Sequence, residues 1–221
     1  MTSISWWGEV TTQNQAAVIA DNAQWRDARL ALFRKIKTVL EKHNIVHWVD
    51  SGSLLGAWRN GQMIPHDSDT DIGIAGKEMH AEACRVLRQD LPELGYKTAT
   101  YSDKLEVYDP TSPEIPWGSN GDMWHKVSCD IDLYVRQPDG WQQQYFNFGI
   151  DQKRIRHEDL FPLGTIVFEG ETCAAPHRPQ AYLETIYGYL GADARYDADL
   201  QTFVAPPADA AETTDVEDDA E

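Results

Sequence analysis

Three aspartates, Asp67, Asp69 and Asp71, alternate in the stretch SGSLLGAWRNGQMIPHDSDTDIGI (51–74), with Ile72 and Ile74 in the opposite phase. This spacing predicts a strand with one carboxylate face, because same-face residues recur at every second position of a strand. Like charges so close raise one another's proton affinity, and a divalent cation among them reverses that preference. The alternative reading of the bare spacing is a solvated acidic loop. A second alternating segment, Val127 to Val135, sets Cys129, Ile131, Leu133 and Val135 on one face and Asp130 and Asp132 on the other. Same-face residues of a strand lie ~6.5–7 Å apart and neighbouring strands ~4.8 Å apart, so pairing of the two segments brings Asp69, Asp71 and Asp132 together, with Asp130 in reserve. Oxygen-only ligation favours Mg²⁺ or Mn²⁺ over zinc, and a pair of such ions suits in-line displacement at phosphorus. The upstream Gly52-Ser53 turn, at the start of a helix, offers backbone N–H groups and a positive dipole end to phosphates.

The elements that must position these residues follow from periodicity. Residues 15–43 carry a helical apolar stripe through Trp25, Leu32, Phe33, Ile36, Val39 and Leu40, ended by Asn44. A strand at 45–49, a brief helix at 54–59 capped by Ser51 or Ser53, a turn at Asn60-Gly61 and an acidic strand at 69–74 come next. Residues 77–91 read as a helix burying Met79, Ala83, Val86, Leu87 and Leu91. The Pro-, Gly- and Ser-rich segment 109–125, with Trp117 and Trp124, reads as a long loop. Pro138-Asp139-Gly140 predicts a hairpin turn into an aromatic strand at 141–148, Glu169-Gly170 a second hairpin, and Pro179 the opening of a last helix through Tyr187. The expected fold class is therefore α+β, with a mixed central sheet flanked by helices.

The chain has 221 residues and a formal net charge of −17, with seven carboxylates and no Lys or Arg after Pro207. The expected organisation is one domain over 1–205 and a disordered acidic tail over 206–221, because the tail lacks the apolar surface that offsets ordering. An acidic body without a basic stripe argues against nucleic acid as a partner. No apolar run approaches the ~18 residues a membrane span needs, and the first residues lack a signal pattern, so neither a membrane anchor nor export is expected. Cys84, Cys129 and Cys173 are odd in number and embedded in apolar segments. Reduced core thiols in a cytoplasmic protein are the expectation.

The runs Ser51-Gly52-Ser53-Leu54-Leu55-Gly56-Ala57-Trp58-Arg59 and Ile64-Pro65-His66-Asp67-Ser68-Asp69-Thr70-Asp71-Ile72 resemble the GTLLGAxR…IPxDxDxDI signature of the LicD/fukutin family, which belongs to the DNA polymerase β-like nucleotidyltransferase superfamily. The strand Asp130-Ile131-Asp132-Leu133 and the pattern Pro176-His177-Arg178-Pro179, Tyr182-Leu183, Tyr187-Gly188 extend the resemblance from about Val46 to Gly188. Ser53, His66 and Ser68 depart from the common Thr, Trp and Asp of the pattern. The resemblance implies metal-dependent transfer of a phospho-alcohol, such as phosphocholine or a polyol phosphate, from a CDP-activated donor to a sugar or glycan hydroxyl, releasing CMP. It implies that Asp69 and Asp71 ligate Mg²⁺ or Mn²⁺ with Asp132, that Gly52 and Ser53 contact phosphate, and that Asp67 and Asp130 support them. Arg59, Arg178 and His66 lie inside or beside the matched runs and are candidate phosphate or substrate contacts.

Each assignment has a plainer competitor. The arginines of an acidic chain commonly pair with its own carboxylates, and the tryptophans commonly fix a loop instead of stacking a base or sugar. Asp67, Asp69, Asp71 and Glu78 match EF-hand positions 1, 3, 5 and 12, yet Ile72 occupies the glycine position and Pro65 obstructs an entering helix. The remaining functional alternatives are transfer of an NMP to a protein or small molecule with release of pyrophosphate, and a non-catalytic nucleotide- or Ca²⁺-binding module.

Overall fold

The computed structural model describes residues 2–5, 8–11, 15–101, 103–117, 122–144, 153–197 and 199–207, with the side chains of 2–11, 101, 116, 117 and 122 excepted. In chain order, a short hairpin of β1 (Thr2–Ser5) and β2 (Gly8–Thr11) precedes α1 (Gln15–Lys42), β3 (Trp48–Val49), α2 (Ser51–Asn60), β4 (Thr70–Ala75) and α3 (Lys77–Asp90). Then come β5 (Lys97–Tyr101), β6 (Lys104–Tyr108), β7 (Glu114–Trp117), β8 (Asp122–His125), β9 (Ser128–Gln137) and β10 (Gly140–Gln143). The last elements are α4 (His157–Leu160), β11 (Gly164–Phe168), β12 (Glu171–Ala175), α5 (Pro179–Tyr187), β13 (Arg195–Asp197) and β14 (Thr202–Val204).

The central sheet runs β3-β4-β9-β6-β5, with β10 also on β9. Only β4 and β9 are parallel; the other pairs are antiparallel, so the sheet is mixed and the fold is α+β. Alternation gives the sheet two chemically distinct faces. Ile72, Ile74, Leu105, Val107, Cys129, Ile131 and Leu133 are buried on the apolar face, which α1 and α3 back. Asp71, Gly73, Asp130, Asp132, Lys104 and Glu106 have the opposite parity. Trp48 crosses this second face, paired with Gly73, where an added Cβ would stand 2.3 Å from the indole. Glycine is thus what lets a tryptophan close over the strand that carries Asp71.

Periodicity located α1, α3, β4, β9 and α5 to within about two residues, and the three cysteines are free and buried as expected. Four expectations need correction. Helix α2 starts at Ser51 and its N-cap is Asp50, whose Oδ1 accepts from the Ser51 N–H at 2.8 Å, so neither serine caps it. The strand expected at 45–49 is confined to Trp48–Val49, because Asn44 takes a left-handed φ of 56° and Ile45 spends its N–H on Leu40 O. The segment 109–125 contains an antiparallel hairpin, β7 with β8, instead of a plain loop. Asp67 and Asp69 precede β4, so only Asp71 lies in the strand. The end of the aromatic strand (145–148), the centre of the 109–125 segment (118–121) and the acidic tail from 208 onward lie outside the described residues.

Candidate metal centre

The turn Pro65-His66 delivers Asp67 and Asp69 to the mouth of β4, and Asp71 follows as the second residue of that strand. The three carboxylates offer oxygens that all lie within 4.8 Å of one another. No EF-hand forms around them, because the chain continues from Asp71 into a strand and Glu78 sits in the first turn of α3. Helix α2 shapes the cluster from above. The Ser53 N–H and Oγ both reach Asp71 Oδ2, at 3.2 and 3.3 Å, and Ser53 Oγ accepts from the Asp71 N–H at 3.0 Å. Gly52 leaves room for Asp67, since a Cβ there would stand 2.4 Å from Asp67 Oδ2. Gly52 and Ser53 thus lie in the first turn of α2, and the serine, 1% exposed, is spent on Asp71.

Pairing of β4 with β9 sets Asp71 opposite Asp130 and Gly73 opposite Asp132. Asp132 therefore lies diagonally from Asp71, outside the three-carboxylate cluster but close enough to raise its proton affinity. Asp130 ion-pairs with Lys104, and Glu106 faces it across β6. One oxygen each of Glu106, Asp130 and Asp132 is buried without a hydrogen-bond partner. Burial, followed by mutual repulsion, pushes Asp69 and Asp71 well above the usual carboxylate range, and burial raises Asp67 and Asp130. Burial also lifts Asp132 and Glu106 to about 8. The hard oxygen donors of Asp67, Asp69 and Asp71, with a surplus of negative charge around them, fit a divalent cation such as Mg²⁺ or Mn²⁺, and fit zinc poorly.

Several buried polar side chains around the cluster carry no signal of their own in the residue spacing. Arg29, 1% exposed, donates to the carbonyls of Asn22, Asp67 and Lys126 and so ties α1 to the loop bearing the carboxylates. Only its position marks it: it falls four residues after Trp25 and three before Leu32, on the apolar stripe of α1. Asp50, fully buried, accepts from the Tyr182 hydroxyl at 2.6 Å, and its N–H donates to Asp71 O at 3.1 Å. Lys104 and Glu106 lie in β6, and the strand that carries Asp130 and Asp132, β9, begins twenty residues after β6 ends.

Other expected site residues are placed elsewhere. Arg59 donates to the carbonyls of Leu190 and Gly191, pinning the segment after α5. Arg178 occupies the N-cap position of α5, and its guanidinium pairs with Asp159 at 3.5 Å. His66 stays beside Asp67, next to it in the turn that leads into β4. Trp124 is 3% exposed and donates to Ser128 Oγ, a packing role; the side chain of Trp117 lies outside the described residues. Among the described residues no helix is long and apolar enough to cross a membrane.

A family model described as "LicD/FKTN/FKRP, nucleotidyltransferase domain" matches residues 44–178, more than half of the chain. An uncharacterized protein of Rickettsia prowazekii (strain Madrid E) is 39% identical over 168 residues, covering 72% of this chain and 54% of that protein. The Ribitol 5-phosphate transferase FKRP of Homo sapiens is 49% identical over 162 residues, and that of Mus musculus 49% over 168, each alignment covering 70% of this chain and 30% of the relative. The chain thus spans about half of the rickettsial relative and under a third of the mammalian ones.

Proposed function

We propose that this chain, which belongs to the LicD/FKTN/FKRP nucleotidyltransferase-domain family, is a metal-dependent transferase that moves a phospho-alcohol group from a CDP-activated donor to a sugar or glycan hydroxyl and releases CMP. The observation that carries this reading is the cluster of Asp67, Asp69 and Asp71 at the mouth of a strand paired in parallel with a second carboxylate strand. The helix opened by Gly52 and Ser53, followed by a carboxylate strand, supports placing the chain in the DNA polymerase β-like superfamily. The name of the mammalian relatives supports ribitol phosphate as the group moved. The three free thiols suit a reducing, cytoplasmic setting.

Asp67, Asp69 and Asp71 would hold the cation, with Asp132 beside them. Bound there, Mg²⁺ or Mn²⁺ supplies charge neutralisation on phosphate and acidifies a hydroxyl. The chain's own residues provide the arrangement. Ser53 fixes the Asp71 carboxylate, Gly52 clears space for Asp67, and Arg29 anchors the backbone of the connecting turn. The positive end of α2 adds a fixed field that favours phosphate near the carboxylates. In the transfer, the acceptor oxygen forms a bond to the phosphorus that bears the alcohol, the bond to the CMP oxygen breaks, and the acceptor proton is lost.

The test is a panel of CDP-alcohols and CTP, with Mg²⁺, Mn²⁺ or chelator, analysed by product mass. Phospho-alcohol transfer yields CMP in the presence of metal. Pyrophosphate from CTP, with no CMP from any CDP-alcohol, would reassign the chain to NMP transfer.

A further inference from the structure

Among the described residues, Arg29 and Lys104 are the buried Lys and Arg side chains. They serve different ends. Arg29 spends its hydrogen bonds on carbonyls and on Asn22, whereas the Lys104 ammonium meets the Asp130 carboxylate directly. Lys104 is 4% exposed and Asp130 5%, and the Trp124 ring lies 4.8 Å from the ammonium. Glu106 and Asp132 share this sheet face, and Lys104 acts electrostatically on Asp69, Asp130, Asp132 and Glu106. A buried ion pair is a poor device for stability, because the cost of removing both charges from water commonly exceeds their attraction. The placement of Lys104 calls for a reason tied to the carboxylates around it. Asp130 stands directly across from Asp71, closer in register than Asp132, and without Lys104 it is the natural additional ligand for a cation held at Asp71.

We propose that Lys104 is a positioning residue, an internal cation that withholds Asp130 from the metal centre and leaves divalent-ion binding to Asp67, Asp69 and Asp71 with Asp132. The inference rests on the metal-dependent reading above. It assigns Lys104 no contact with substrate, since its ammonium is buried on Asp130.

The experiment measures Mn²⁺ binding by electron paramagnetic resonance in the full chain, with near-ultraviolet circular dichroism to verify the fold. Lys104→Met frees Asp130 and is expected to tighten Mn²⁺ binding by about tenfold, the effect of removing one nearby positive charge. The double variant Lys104→Met/Asp130→Asn removes the pair as a unit and is expected to bind Mn²⁺ within about threefold of wild type. Should the single variant not fold, the double variant decides alone. A double variant that is folded and binds Mn²⁺ tenfold more weakly would make Asp130 a ligand and overturn the proposal. A folded Lys104→Met with unchanged Mn²⁺ binding and a raised KM for the CDP-alcohol would make Lys104 a phosphate contact and also overturn it. Wild-type protein that binds no Mn²⁺ would remove the metal-dependent reading together with this inference, whereas the other two outcomes leave that reading intact.

Discussion

Asp71→Asn is expected to lower phospho-alcohol transfer by about 10³-fold while the metal-free protein melts at a higher temperature than wild type. The two halves of this result share one cause. Asp71 is 9% exposed and ringed by Asp67, Asp130 and Asp132, so its charge is unfavourable until a cation arrives. Removing an electrostatic stabiliser of the transition state commonly costs ~10²–10³ in rate, and loss of a ligand belongs at the upper end of that range. Asparagine keeps the shape and can still accept from the Ser53 N–H, so α2 stays in place. Relief of repulsion then raises Tm by about 2–4 °C for each kcal/mol gained. The measurements are CMP formation at saturating Mn²⁺ and thermal melts in chelator. Near wild-type turnover, or a collapsed fold, would contradict the assignment.

In chelator, the protein is expected to lose stability as pH rises from 6.5 to 8, and saturating Mg²⁺ or Mn²⁺ is expected to reverse the trend. Glu106 and Asp132 keep their protons to about pH 8 in the folded state, whereas an unfolded chain releases them near pH 4. Between those values the folded state binds more protons than the unfolded one, so stability falls with rising pH at ~1.4 kcal/mol per unit for each such group. Half-buried His47 and buried His80, whose proton affinity desolvation lowers, work in the opposite direction below about pH 6.5, where the unfolded chain would protonate them. The window from 6.5 to 8 therefore isolates the carboxylates. A cation bound to ionised carboxylates competes with protons, so its affinity and its stabilising effect grow with pH. Urea unfolding at a series of pH values, with chelator or Mn²⁺, checks both slopes. A metal-free stability that is flat or rises over this window would contradict the raised proton affinities.

Much of this arrangement was legible from residue spacing. The stripe of α1, the alternation of β9 and the proline at the start of α5 are local signals, and each produced its element. The hairpin β7–β8 was hidden because Pro, Gly and Ser mark a break in periodicity, whereas its pairing depends on backbone bonds that leave no compositional trace. In the site, Asp67, Asp69 and Asp71 were readable because they converge within five residues. Lys104, Glu106 and Arg29 were not, because a lone charge gives no sign of an acceptor remote in sequence. Arg59 and Arg178 show the same limit in reverse. A guanidinium inside a matched run reads as a phosphate contact, yet here one serves the carbonyls of Leu190 and Gly191 and the other Asp159.

On the proposed mechanism, the carboxylates at the head of β4 hold the divalent cation on which transfer depends. Crystals grown with Mn²⁺ and a CDP-alcohol, with data collected at the manganese absorption edge, test it most directly. The expected result is an anomalous peak coordinated by Asp69 and Asp71 and adjoining the donor phosphates. A peak elsewhere, or none at these aspartates in protein that turns over, would contradict it.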